Sequence, residues 1–176
     1  MELLQPLFDP PVALLPFTAD HVEPLRAACA EDPEIWEIYP ISLFGEHFDG
    51  SLALLEALPN RRRFAVLNGE TLVGLTNFIN LDEEARSVEI GGTYIAPSVR
   101  GTGFNRQMKT LLIDHAFAQG IDTIIFRVDT RNARSMRAVE KLGARHVATL
   151  EKNLTTWTGY VRDTAVFHLT RDDWRH

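Results

Sequence analysis

Residues 94–117, YIAPSVRGTGFNRQMKTLLIDHAF, decide how this chain folds. The stretch opens as an extended run that stops at Pro97 and passes through Arg100, Gly101, Thr102 and Gly103. It continues as a helical pattern with apolar side chains at Phe104, Met108, Leu111, Leu112 and Ala116. A strand, a glycine turn and a helix thus follow in succession. The two glycines permit a tight turn and clear the space a ligand would need, while the first N–H groups of the helix have no intrahelical partner. Such donors, at the positive end of the helix dipole, attract phosphate.

Two familiar nucleotide motifs fail on these residues. A dinucleotide fingerprint needs a third glycine where Arg106 stands, and a Walker loop needs one where Met108 stands. The turn is therefore read as a phosphate loop of another kind, with a plain chain reversal as the alternative.

Outward from this stretch, the rest reads as one domain over residues 1–176, of ordinary globular composition with 45% hydrophobic and 24% charged residues. The N-terminus is acidic and broken by prolines, so it is expected to be neither a secretory signal nor a membrane span. Cys29 is the only cysteine, which excludes an internal disulfide and fits a reducing cytoplasm. Charge is unevenly placed. Residues 1–99 carry 5 basic and 16 acidic side chains, whereas residues 100–145 carry 9 basic and 4 acidic. A positive segment centred on the glycine turn suits a locally gripped anion, and the acidic first half favours a cationic partner. Nucleic-acid binding is disfavoured by the same repulsion.

Strands are expected at Val12–Phe17, Arg62–Leu67, Thr71–Leu81, Ser87–Ala96, Thr123–Val128, Ala144–Leu150 and Val161–Leu169, with Asn68-Gly69 as a hairpin turn. Helices are expected from Thr18 or Asp20 to Ala30, Gly45 to Leu58, Phe104 to Gln119, and after Asn132 to Leu142, where Gly143 stops the last. The economical architecture is α/β (α+β), one mixed, mostly antiparallel sheet of about seven strands with helices on both faces. Asp172-Asp173-Trp174 is expected to dock as a short tail. Trp36 and Tyr39 fall in a connection, where they line a pocket or fill the core. The six histidines, His21, His47, His115, His146, His168 and His176, show no paired metal-ligand spacing, so no metal site is expected.

Ile95-x-Pro97, Arg100-Gly101-Thr102-Gly103-x-Asn105 and Asn132-x-x-Ser135-x-x-Ala138 with Gly143 resemble the GNAT superfamily of acyl-CoA-dependent N-acyltransferases. The pattern is closest to the branch holding the ribosomal-protein alanine acetyltransferases, and the similarity covers nearly the whole chain. The resemblance implies acetyl-CoA as co-substrate and no metal. Its diphosphate would be bound by the main chain of Arg100, Gly101, Thr102, Gly103, Phe104 and Asn105. The pantetheine arm would run along Thr93 and Ile95 and meet Asn132 from the other side, in a gap where two strands splay. Trp36, Tyr39, Phe44 and Trp157 lie in connections that shape the acceptor site in the family.

Two departures matter. Many members carry a tyrosine seven positions after the asparagine, to protonate the leaving thiolate; here that position is Val139. Ser135 is the candidate replacement, or else a structural helix serine. Where many members have glutamine or arginine three residues before the first loop glycine, Ser98 stands here, so Arg100 is expected to supply any charge. Glu89 is the first candidate for the base that takes the amine proton, with Glu151 as its competitor. The acceptor implied is a primary amine on a cationic small molecule or a protein N-terminus, with a homodimer as a compatible assembly. A non-catalytic acyl-CoA-binding module is the alternative of a different class.

Overall fold

The computed structural model describes residues 1–174. Eight strands form one sheet: β1 (Leu7–Asp9), β2 (Val12–Pro16), β3 (Arg61–Asn68), β4 (Thr71–Asp82), β5 (Ser87–Ile95), β6 (Thr123–Asp129), β7 (Arg145–Thr155) and β8 (Val161–Thr170). Their order across the sheet is β1-β2-β3-β4-β5-β6-β8-β7, and every neighbouring pair is antiparallel except β5–β6. The strand beyond the seven expected is β1. Its three residues are too few to show an alternation, but they pair Leu7 with Leu14 and Asp9 with Val12.

Four α-helices cover the two faces: α1 (Val22–Cys29), α2 (Phe48–Ala57), α3 (Phe104–Ala118) and α4 (Ala133–Glu140). Alternation along the strands divides the interior in two. Phe64, Phe78, Val88, Ile90, Ile124 and Phe126 pack under Met108, Leu112, Ile113 and Ala116 of α3 and Val139 of α4. Ala65, Leu75 and Tyr94 face the other way, against Leu25 and Cys29 of α1 and Phe48 and Leu52 of α2. Each buried aliphatic or aromatic side chain contributes about 1.5–3 kcal/mol. Both helical layers are therefore held by the same sheet.

The Asn68-Gly69 turn forms as expected, with Gly69 at φ +61° joining β3 to β4. β7 lies at the sheet edge and is exposed along nearly its whole length. The tail docks: the indole Nε1 of Trp174 donates to Asp114 at 2.7 Å, and Asp173 pairs with Arg145.

The site is positioned by an interruption. β5 and β6 pair in register only from Ser87 with Thr123 to Glu89 with Ile125, although β5 continues to Ile95 and β6 to Asp129. Beyond that point β5 carries a bulge opposite β4, with Gly92 at φ +57° and Asn77 donating to the carbonyls of Gly91 and Gly92. The bulge bends β5 away from β6, and a fork opens between two parallel strands.

Candidate active site

Pro97 ends β5 in a single 3-10 turn through Val99, and the chain then enters α3 through Gly101 at φ +77° and Gly103 at φ +90°. Only glycine adopts these angles without strain. A Cβ placed on either glycine would meet nothing within 4 Å, so both positions border open space. Thr102 closes the turn by donating its hydroxyl to the Val99 carbonyl at 2.8 Å, and the Phe104 N–H leans toward that hydroxyl at 3.4 Å. Among the described residues, the N–H groups of Gly101, Thr102, Gly103, Asn105 and Arg106 find no acceptor within the chain. Five unpaired donors thus lie at the mouth of a fifteen-residue helix.

The other loop residues divide by role. Phe104 buries its ring in the core and can offer a ligand only its main chain. Asn105 is half-buried and lines the groove between α3 and α4. Arg100 does not point its charge at the loop: its Nη1 pairs with Asp32 and its Nε donates to the Ile95 carbonyl at 2.9 Å. It fastens the loop to the connection after α1. Sequence reasoning had no means of seeing this partner, 68 residues away.

Along the fork, Thr93 and Ile95 have their carbonyls occupied by side chains. The Tyr39 hydroxyl donates to the Thr93 carbonyl at 2.6 Å, while Arg100 takes that of Ile95. Ala96 donates to Val73 on β4. Antiparallel alternation therefore turns the Ile95 N–H away from β4, toward the fork. Across the opening, Asn132 caps α4 by accepting the Ser135 N–H at 3.0 Å, and its amide nitrogen has no acceptor among the described residues. Ser135 is half-buried in the first turn of α4. Val139, where a tyrosine was absent, is turned into the core.

Glu89 sits at the last paired position before the fork and is only 9% exposed. Its Oε2 pairs with Nη1 of Arg127 at 2.5 Å. Arg61 and Arg162 also feel its charge, and burial lowers both of their pKa values. Glu151 is exposed on β7, separated from β6 by β8.

The connection after α1 borders the fork, where its Tyr39 meets the Thr93 carbonyl. Trp36 is a core residue: it is 1% exposed, stacks on Tyr94 at 4.8 Å and donates its Nε1 to the Cys29 carbonyl. The 3-10 turn Pro33–Ile38 directs it inward, into the core against α1 and β5. Tyr39 instead reaches the fork, and burial pushes its hydroxyl up to about 12, so it remains a donor. Trp157, from the β7–β8 loop, donates its Nε1 to the Trp36 carbonyl at 2.8 Å and stands 4.9 Å from the His47 ring. Trp157 and His47, with Glu37, Phe44 and Glu46, line an open cavity of about 270 Å³.

The sequence model of the acetyltransferase (GNAT) domain matches residues 12–145. The chain belongs to the GNAT acetyltransferases. A structure from Chromobacterium violaceum classed in that family superposes with a TM-score of 0.88 at 26% identity, covering 97% of this chain and 93% of the other. One from T. thermophilus, also classed as an acetyltransferase, gives 0.87 at 29% identity, covering 97% and 91%. The spermidine N-acetyltransferase of Vibrio cholerae, solved with CoA and spermine, gives 0.76 at 20% identity over 94% and 98%, a likeness of fold. Among curated proteins, a mycothiol acetyltransferase of Thermobispora bispora is 27% identical over 125 residues. The match covers 64% of this chain and about two fifths of that protein's length.

GNAT acetyltransferases use acetyl-CoA, and the residues present fit that group. The unpaired N–H donors, the open space a Cβ would fill at Gly101 and Gly103, and the fork beyond Glu89 match a diphosphate followed by an extended arm. Among the described residues, no cluster of three or more His, Cys, Asp or Glu is placed to hold a metal; His176 lies outside them. No helix of the described residues is long and apolar enough to cross a membrane.

Proposed function

We propose that this GNAT acetyltransferase moves an acetyl group from acetyl-CoA to a primary amine by direct attack on the thioester. The observation that carries the reading is the continuity of the five unpaired N–H donors with the fork between β5 and β6. One end grips a phosphate and the other opens where an acyl group would lie. Bound there, the cofactor supplies an already activated acyl group, so alignment of the amine does most of the work.

In this reading the loop from Arg100 to Asn105 holds the diphosphate through its main chain. The Ile95 N–H and the Asn132 amide orient the arm, and a main-chain N–H of the 93–95 segment stabilises the oxyanion. Glu89 accepts the amine proton, directly or through water, and Ser135 steadies the departing thiolate. Tyr39 and Trp157 shape the acceptor side. The acceptor is a small cationic amine or a protein N-terminus. Glu37 and Glu46 beside Phe44 and Trp157 support the cationic choice, as does the spermine-bound Vibrio cholerae structure of the same fold. The motif pattern keeps the ribosomal-protein alanine acetyltransferases as the nearest branch, and the single buried Cys29 suits the cytoplasm.

Thiol release from acetyl-CoA, followed with a panel of polyamines, amino acids and short peptides, tests the proposal. Turnover with at least one amine is expected. Tight CoA binding without turnover by any member of the panel would favour a non-catalytic binding module.

A further inference from the structure

Lys109 lies in the second turn of α3 and is buried, with 8% of its surface exposed. Among the described residues it makes no ion pair and no hydrogen bond; its Nζ lies over the Phe126 ring of β6, 5.1 Å from the ring centre. Yet the side chain is not sealed in. With Asn105, Arg106, Ala138, Lys141 and Leu142 it lines a cavity of about 110 Å³ between the start of α3 and the end of α4. A helical side chain of this length leans back toward the helix N-terminus, here the glycine loop with its free donors.

A buried ammonium without a counter-charge is unfavourable, and native interiors pair such groups. The loop meanwhile lacks a side-chain cation of its own, because Arg100 is committed to Asp32 and Ile95. One arrangement answers both observations. We propose that Lys109, flanked by Arg106 and Lys141, is a phosphate-binding residue that meets the cofactor in the groove between α3 and α4. The inference rests on the acetyl-CoA reading above and adds to it a charged side chain that the loop motif does not contain.

A consequence concerns protons. Burial lowers the Lys109 ammonium to about 8 and is the only cause of the shift. The charged groups facing it are Arg106 on α3 and Lys141 at the C-cap of α4, while β6 presents the uncharged Phe126 ring. A phosphate beside Nζ favours its protonated form. CoA binding above pH 8 is then accompanied by proton uptake. The affinity is fully present below pH 8 and declines as the pH rises past it.

Calorimetric titration of CoA and of dephospho-CoA into wild type, Lys109→Met and Lys109→Gln tests this. Loss of a charge-assisted contact predicts that CoA affinity falls about tenfold or more in both variants near neutral pH. The buffer-dependent heat that reports proton uptake by wild type at about pH 8.5 should vanish in the variants. An equal loss with dephospho-CoA assigns Lys109 to the diphosphate, and a loss confined to CoA assigns it to the 3′-phosphate. Wild-type affinity in folded Lys109→Met and Lys109→Gln overturns the inference. Wild type that fails to bind CoA overturns the cofactor reading beneath it.

Discussion

Glu89 of β5 and Arg127 of β6 form an ion pair across the fork at which their strands part, with 2.5 Å between Oε2 and Nη1. Both residues stand within two positions of the last paired register, so the pair marks where the sheet ends and the gap begins. It also fixes the one carboxylate that the proposed chemistry needs.

Glu89→Gln keeps the size and the hydrogen-bond acceptor but cannot take a proton. If Glu89 is the base, kcat falls by about two orders of magnitude or more. CoA affinity should stay close to wild type, while thermal stability should fall because Arg127 loses its counter-charge. Steady-state kinetics beside calorimetry checks both, and an unchanged kcat would move the role to Glu151 or to water.

Ser135→Ala separates catalysis from architecture. The cap on α4 uses the Ser135 N–H, not its hydroxyl, so the helix survives the change. Turnover is expected to drop while CoA affinity holds. Asn132→Ala, by contrast, removes the cap itself and should cost about 1 kcal/mol of stability. Equal turnover in Ser135→Ala and wild type would leave the serine a purely structural role.

Tyr39→Phe removes the hydroxyl that satisfies the Thr93 carbonyl at the fork. A lost buried hydrogen bond costs about 1 kcal/mol. Chemical denaturation should show that loss. Full wild-type stability would mean that water replaces the hydroxyl.

Lys109 predicts a pH dependence of stability with a definite sign. Its folded pKa, about 8, lies below the ordinary 10.5, so the unfolded chain binds the proton more tightly. The penalty is fully present below pH 8 and is relieved as the pH rises from there toward 10.5. Lys109→Met escapes it and should be more stable without ligand, by up to about 3 kcal/mol near neutral pH. The advantage should shrink through that window. A constant difference between the two proteins from pH 7 to 10.5 would contradict the assignment.

Much of this was legible in the sequence because short-range rules governed it. The glycine loop, the hairpin at Asn68-Gly69, the helix beginning after Asn132 and the order of elements depend on neighbours a few residues apart. What escaped depended on distant partners. β1 is three residues long and gains its identity from β2 and from Gln107, whose amide donates to the Asp9 carboxylate at 2.7 Å. Arg100 read as a loop cation until Asp32 claimed it. Trp36 read equally well as pocket or core, and the inward turn of its 3-10 segment decided for the core. Lys109 did leave a trace: it shares a helical stripe with Leu112, Ile113 and Ala116, all buried, and a lysine on such a stripe must be buried too.

The most direct measurement is competitive calorimetry of CoA and ATP on wild type and Gly103→Val. A valine Cβ would enter the open space at the mouth of α3, from a backbone at φ +90° that suits only glycine. The prediction is saturable CoA binding to wild type, preferred over ATP, and an affinity lower by about a hundredfold in the variant, the worth of one or two charged hydrogen bonds. Preference for ATP, or equal CoA affinity in the two proteins, would contradict the assignment of this loop to the cofactor.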